Sequence, residues 1–376
     1  MKNSQKIQFL LFLIPLFILL SMSLLLMYHA KYITSTYKYH FIKQTIWIFI
    51  GLFLVILTPH FKPSFLFRYS KILYYFSLLL LIIVLLIGEN INGSKAWINF
   101  KFFLFQPSEL MKLSYSLYLS KLASTKRFYN SKQELAFLGQ ILILFLMPSI
   151  LVFLEPDTGA ILFYFFITIT ILYGSNLRKR WIISLGILFL LFLLFFSYTY
   201  FFQRDFLISL LGTSIFYRME RILNIGQGMQ IKHALIALGS APTLQFNLTK
   251  TGIYIPEAPT DFIFSLSSNV FGIIGNYFIL LSYLIMDFYL LHRMKKLIIK
   301  EQKLFSMTFL SIFIPSQILN IGMNLGILPI MGIPLPFLSY GGSSTIVLFL
   351  YLSILFIPQK KESPIETLEI PTEIIE

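Results

Sequence analysis

Runs of about 20 apolar residues recur from one end of this chain to the other, and that recurrence limits what it can fold into more than any other feature. A bilayer core of about 30 Å is crossed by roughly 20 apolar helical residues. The first such run, FLLFLIPLFILLSMSLLLMY from Phe9, sets the pattern. With 57% hydrophobic and only 12% charged residues, the 376-residue chain cannot coat a water-soluble globule with polar groups. The expected class is an all-α polytopic membrane protein. The first run is longer than the core of a secretory signal and has no small-residue cleavage site, so it is expected to be retained as a span. There are no cysteines, which removes disulfide and thiol chemistry. The formal charge of +14 is spread among loops, a distribution that suits membrane lipids with anionic headgroups and not nucleic acid.

About ten transmembrane helices are expected, at roughly 9–28, 43–58, 72–88, 107–123, 136–154, 159–175, 181–202, 262–291, 305–327 and 342–357. The fourth is the least apolar. Residues 203–260 are too polar and too long for a turn, so they form one large extracytoplasmic loop between spans 7 and 8. With the N-terminus inside, inward segments carry 19 of the 30 Lys and Arg residues. That bias puts both termini in the cytoplasm. Residues 1–360 are expected to form the transmembrane domain, and the acidic, Pro-interrupted stretch 361–376 a disordered cytoplasmic tail. No internal repeat is visible, which counts against an inverted-repeat transporter.

Charges at membrane depth are costly and are usually paired or functional. Here they are Glu109, Lys112, Asp157 and Asp261, with Glu155 and Glu257 nearby. Asp261 stands directly before Phe262, Ile263 and Phe264, where it can cap a helix, serve transport or act in catalysis. In FQPSELMKL, Pro107 suits a first helical turn and Glu109 its positive end. Glu109 and Lys112, three apart, share a face. They either glue helices as an internal pair, or Lys112 holds an outer carboxylate such as Asp261 ionised. In LEPDTGA, Asp157 reads as the cap of the sixth span, a job compatible with lining an outer cavity.

The stretch from Asn320 to Ser344, NIGMNLGILPIMGIPLPFLSYGGSS, carries too many Gly and Pro residues to be one helix. Irregular backbone at that depth needs protein or water around it, so a re-entrant loop bordering an outer cavity is expected. Lys95 and Trp97 are placed at the outer interface. Arg218 and Arg221, three apart in FYRMERI, can clamp a diphosphate or bind lipid headgroups. No Walker loop, His-rich metal motif or Gly-x-Ser-x-Gly elbow is present, which argues against ATP hydrolysis and a serine nucleophile.

Five stretches, NGSKAWINFKFFLFQPSELMKL, LEPDTGA, IKHALIALGS, IPEAPTDFIF and the Asn320–Ser344 block, resemble the SEDS family (shape, elongation, division and sporulation) in its own order. The resemblance implies a peptidoglycan glycosyltransferase that polymerises lipid II at the outer face of the bacterial cytoplasmic membrane. It also implies a class B penicillin-binding protein as cross-linking partner. It puts the catalytic carboxylate at Asp261 and the family's motif Glu and Lys at Glu109 and Lys112; these two, with Asp157, Arg218, Arg221, Lys95, Ser339 and Tyr340, are the residues expected to bind or orient substrate. It brings no certain cofactor, although a divalent cation at the diphosphate is compatible with it. The length and the NIGMNLG form lean to the elongation branch, RodA, over the division branch, FtsW.

The chain departs from the family pattern in its outer loop. The usual Gly-rich segment is SAPTLQFNLTKTG, from Ser240 to Gly252, and Pro259 stands where His is usual. Ser268-Asn269-Val270 replaces Gly-Glu-Glu, Glu155 replaces Gln, and Lys95-Ala96-Trp97 lacks a second basic residue. Two alternatives to the polymerase therefore stay open: a lipid II flippase, and a low-activity scaffold for a penicillin-binding protein.

Overall fold

The computed structural model describes residues 3–58, 63–91, 93–211, 228–249 and 253–357. Its helices are α1 (Asn3–Ala30), α2 (His40–Leu57), α3 (Pro63–Ile87), α4 (Pro107–Thr125), α5 (Ser131–Leu154), α6 (Thr158–Gly174), α7 (Lys179–Phe202), α8 (Arg204–Leu211), α9 (Met229–Gly239), α10 (Ile263–Lys296), α11 (Lys300–Asn324) and α12 (Gly342–Leu355). By length and composition α1, α2, α3, α5, α10 and α11 can each cross a membrane, and α6 and α12 are shorter apolar helices. With α4 and α7 they occupy the ten expected spans. The expected tail at 361–376, and Arg218 and Arg221 in the loop, lie outside the described residues.

The architecture follows from which helix faces lipid. On α2, Ile46, Phe49, Phe53 and Ile56 are exposed, as an apolar surface in hydrocarbon should be. The fourth span has the opposite exposure. Helices α3, α5, α6, α11 and α12 all pack around α4, which buries 13 of its 19 residues. Its low apolarity is therefore no sign of exposure. Ser108, Ser114, Ser116 and Ser120 are small enough to let neighbours approach closely. Ser116 Oγ, for example, lies 2.8 Å from the Tyr351 hydroxyl of α12.

Between α3 and α4 the chain forms a small antiparallel sheet, β1 (Glu89–Ile91), β2 (Ser94–Asn99) and β3 (Leu104–Phe105), in the order β1-β2-β3. Sequence periodicity did not announce it. Its strands are two to six residues long, too short for a period of two to stand out. Their backbone groups pair within the sheet, with Glu89 opposite Trp97 and Asn99 opposite Leu104.

The eighth span, too long for one bilayer crossing, is broken. Gly272, at φ 69°, interrupts the 34-residue α10 and leaves backbone groups without helical partners. The segment after α9 supplies them. Ile273 N donates to Pro242 O (3.0 Å) and Ile274 N to Thr243 O (3.0 Å), while Asn247 N donates to Val270 O (2.9 Å). The divergent SAPTLQFN stretch thus stitches the break. Helix α11 ends at Asn324 and α12 begins at Gly342, with irregular backbone between them, as the Gly and Pro pattern required.

A Cβ on residue 272 would meet Pro242 O at 2.5 Å and hold a backbone angle that suits only glycine. Gly272→Ala is expected to cost at least about 2 kcal/mol, read as a lower unfolding midpoint in detergent. Gly186→Ala, whose Cβ meets nothing within 4 Å, should leave that midpoint unchanged.

Candidate active site

Helices that alternate in direction bring the N-termini of α2, α4, α6, α10 and α12 to one end of the bundle. A cavity of about 720 Å³ opens there, lined by His40, Gln106, Asp157, Asp261 and Gly341, among others, from those five termini. Helix N-termini carry partial positive charge, so their convergence favours anionic groups.

Asp261 is set by a turn in which the carbonyls of Pro259, Thr260 and Asp261 are all taken. Pro259 O accepts from Tyr340 N (2.8 Å), and Thr260 O accepts from Ser339 Oγ (2.5 Å). Asp261 O accepts from both Asn320 Nδ2 (2.9 Å) and Asn324 Nδ2 (3.0 Å). Asn324 Oδ1 in turn accepts from Ser265 N (3.0 Å) and Ser265 Oγ (2.7 Å), which ties the clamp to the start of α10. Behind the turn, Glu257 O accepts from the backbone N–H of Thr260, Asp261 and Phe262. Glu257 itself holds φ 54°, a left-handed conformation that costs a residue with a side chain about 1 kcal/mol or more. The Asn-rich and Ser-Tyr-Gly-Gly stretches thus hold one short turn from two sides.

The Asp261 carboxylate is left free by this arrangement. The capping position of α10 is Phe262, without a side-chain cap bond, and the Thr260 hydroxyl donates to Glu257. Capping is therefore not the job of Asp261. Its carboxylate faces the cavity next to Gly332, where a Cβ would lie 3.8 Å from Oδ2. The expectation that Lys112 holds Asp261 ionised is not met. Lys112 Nζ donates to Glu109 Oε1 at 2.7 Å and lies 4.7 Å from the centre of the Phe163 ring. That is the internal pair, short in sequence and buried, and it borders the cavity. Among the described residues no cation forms an ion pair with Asp261. Burial, reinforced by Glu257, pushes its carboxyl up to about 7.

The other expected residues divide. Asp157 caps α6 through Ala160 N (3.2 Å) and also accepts from Gln106 Nε2 (2.8 Å) and Ser108 Oγ (3.0 Å), so it joins α6 to α4 at the cavity wall. Tyr340 lines the cavity with its ring 3.9 Å from that of His40, and burial pushes its phenol up to about 12. Ser339 is buried in the clamp and works on backbone. Trp97 lines the cavity, whereas Lys95 turns away and donates to the carbonyls of Leu85 (2.7 Å) and Leu86 (3.1 Å) at the end of α3. The cavity wall also carries Lys43 and Lys101, neither of which stood out in the sequence. No three His, Asp or Glu side chains stand together to hold a metal among the described residues. A divalent cation at a diphosphate would draw most of its ligands from phosphate and water.

Beneath Glu109 and Lys112 the cavity narrows to a pocket of about 30 Å³ bordered by Ser316 and Tyr351. Tyr115, Tyr164, Tyr351, Phe309, Phe313 and Phe349 are fully buried in the same bundle. Glu155, just past α5, is also fully buried, and neither carboxyl oxygen has a hydrogen-bond partner. Burial, with Asp157 nearby, pushes it up to about 9.

Because its pKa is raised on folding, Glu155 contributes most favourably below the ordinary glutamate pKa of about 4.3, and that contribution is lost as pH climbs towards the folded value. Glu155→Gln should match the wild type only below the ordinary glutamate pKa of about 4.3. It should then gain on it by up to about 1.4 kcal/mol per pH unit towards pH 8.5, measured as unfolding midpoints across pH.

Comparison with known proteins places this geometry. Residues 5–363 match the FtsW/RodA/SpoVE family model, described as cell cycle protein. The "Probable peptidoglycan glycosyltransferase FtsW" of Buchnera aphidicola subsp. Schizaphis graminum is 32% identical over 337 residues, covering 84% of this chain and 90% of the relative. Stage V sporulation protein E of Bacillus subtilis is 29% identical over 369 residues, 90% of this chain and 93% of the relative. A solved chain described under "Structural coordination of polymerization and crosslinking by a peptidoglycan synthase complex" superposes with a TM-score of 0.73 at 25% identity, over 91% of this chain and 96% of that one. The Thermus thermophilus rod shape determining protein RodA shares the fold, with a TM-score of 0.63 at 23% identity over 91% and 94%. These names span division, sporulation and elongation proteins, and do not decide the lean to the elongation branch.

Proposed function

The chain belongs to the FtsW/RodA/SpoVE family of cell cycle proteins, and from that premise we propose that it is a peptidoglycan glycosyltransferase with Asp261 as its general base. The observation that carries the reading is a free carboxylate on a turn whose backbone is clamped by Ser339, Asn320 and Asn324, without a cation partner among the described residues, facing a cavity of about 720 Å³ at the converging helix N-termini. Joining a GlcNAc 4-hydroxyl to the anomeric carbon of a MurNAc diphospholipid requires that proton to be removed as the new bond forms. A base with a pKa near the working pH does this best, since it is substantially ionised yet still basic. The leaving diphosphate develops charge that donors in a water-poor site stabilise. The positive helix ends are such donors.

Two features weigh against the alternatives. A flippase must open the cavity to the opposite face, but the space beneath Lys112 shrinks to about 30 Å³ among buried aromatics. A scaffold with a decayed site should have lost its supports, yet of the departures from the family pattern Pro259, Ser268 and Asn269 have structural partners, and Glu155 alone is buried without one. Pro259 lends its carbonyl to Tyr340 N, and Ser268 Oγ accepts from Asn276 Nδ2 (2.7 Å). Asn269 Nδ2 donates to Ile253 O (3.2 Å). Lipid II is the substrate on this reading. The similar chain from a peptidoglycan synthase complex supports a cross-linking partner, of the class B penicillin-binding type. The Lys and Arg bias supports a cytoplasmic-membrane orientation with both termini inside.

In a reconstituted lipid II assay, with and without the cognate penicillin-binding protein, Asp261→Asn is expected to lower polymerisation by at least about 10²–10⁴-fold while the unfolding midpoint holds. The base must be ionised, so the wild-type rate should rise with pH and level off above about 7. Unchanged polymerisation by Asp261→Asn would remove Asp261 as the base. Label crossing liposomes without glycan formation would favour transport.

A further inference from the structure

Four of the five acids of the cavity wall, Glu109, Asp157, Glu257 and Asp261, belong to α4, the turn before α6 and the turn before α10; the fifth, Glu89 on β1, accepts from Asn99 Nδ2 (3.0 Å), while Lys43 lies on α2 and Lys101 at the β2–β3 tip. Lys112 is already neutralised by Glu109, and Lys95 is spent on carbonyls. Lys43 and Lys101 make no ion pair among the described residues. They are the cations of this wall still available to a ligand.

The backbone that carries each of them is fixed by its surroundings. His40, Lys43 and Trp47 recur at helical spacing and share a face of α2. Trp47 packs against Gly342, where a Cβ would come within 3.0 Å of its ring, and meets Phe103 edge to face at 5.4 Å. Phe103 stacks on Phe100 at 5.2 Å, so the tip is fastened to α2. Within the tip, Lys101 N donates to Asn99 Oδ1 (2.7 Å) and Lys101 adopts φ 66°. Glycine would take that conformation at no steric cost, whereas lysine is strained there. Beside it Phe102 is 84% exposed, and beyond Trp47 the lipid-facing residues Ile46, Phe49 and Phe53 continue down α2.

Two free cations with an aromatic shelf leading to lipid match one end of one kind of molecule: the diphosphate and first isoprene units of a polyprenyl-diphosphate sugar. We propose that Lys43 and Lys101 clamp the diphosphate of the donor at the cavity mouth, and that Trp47, Phe102 and Phe103 carry its hydrocarbon chain out to the bilayer. The clamp rests on the glycosyltransferase reading and adds to it the residues that hold the leaving group. Sugars then point inward, towards Asp261. Departure of the diphosphate leaves its charge against the two ammonium groups.

Lys101→Gly is the informative variant, because it removes the charge and relieves the strain together. In nanodiscs, Lys101→Gly and Lys43→Met are each expected to raise the KM for the lipid donor on the order of tenfold, with kcat changed much less. Lys101→Gly should unfold at the same temperature as the wild type or higher. Unchanged KM in both variants would overturn the clamp, as would a loss that tracks a lower unfolding temperature. Binding of farnesyl diphosphate to the Asp261→Asn protein separates this inference from the reading beneath it. That probe should bind, lose about tenfold in affinity in each lysine variant, and outbind farnesol. Lysine-dependent binding, together with a wild type that makes no glycan, would sustain the clamp and sink the glycosyltransferase reading. Polymerisation with lysine-independent binding would do the reverse. Displacement of the probe by phosphatidylglycerol would make the lysines an ordinary headgroup site and overturn the proposal.

Discussion

Three consecutive carbonyls, those of Pro259, Thr260 and Asp261, are each claimed by a donor from the last quarter of the chain, and the chemistry of the site depends on that capture. Irregular backbone inside a bundle survives only where its polar groups are satisfied, at about 1–3 kcal/mol for each one left unmade. The donors are Tyr340 N, Ser339 Oγ and the amides of Asn320 and Asn324. All come from the end of α11 or from the loop before α12. Breaking α11 there and starting α12 late is what lets the chain return to serve the turn. With the backbone fixed by others, the Asp261 side chain is neither needed for capping nor paired with a cation.

A second constraint is how charge is shared out around the cavity. Lys112 and Glu109 cancel each other, Asp157 is occupied by α6 and α4, and Lys95 by the end of α3. An unpaired carboxylate near the membrane is costly to ionise, so Asp261 shifts towards neutrality, which suits a base working near pH 7. The same physics acts on Glu155, but without access to the cavity it yields only a buried neutral acid. Location separates a functional group from a tolerated one.

Much of this was legible in the sequence. Apolar runs of bilayer length gave the spans, because lipid leaves few alternatives to a helix. Asp157 read correctly as a cap because capping is local, settled within three residues. The breaks at Gly and Pro from Asn320 to Ser344 marked irregular backbone for the same local reason. What stayed hidden was long-range. The partner of Lys112 was a choice between two carboxylates that only packing could settle. The stitch of residues 242–247 onto the break at Gly272 joins segments whose pairing leaves no periodic mark. Lys43 and Lys101 did not stand out because their shared wall is created by the Trp47–Phe103 contact.

The central claim is that Asp261, buried and unpaired among the described residues, titrates near neutrality. Infrared difference spectroscopy of the full-length protein in lipid, wild type minus Asp261→Asn, isolates its carboxyl stretch across pH. The structure calls for a midpoint near 7, from protonated to ionised as pH rises. A midpoint at about 4, the ordinary aspartate value, would mean that a cation or donor compensates Asp261, and would contradict the account.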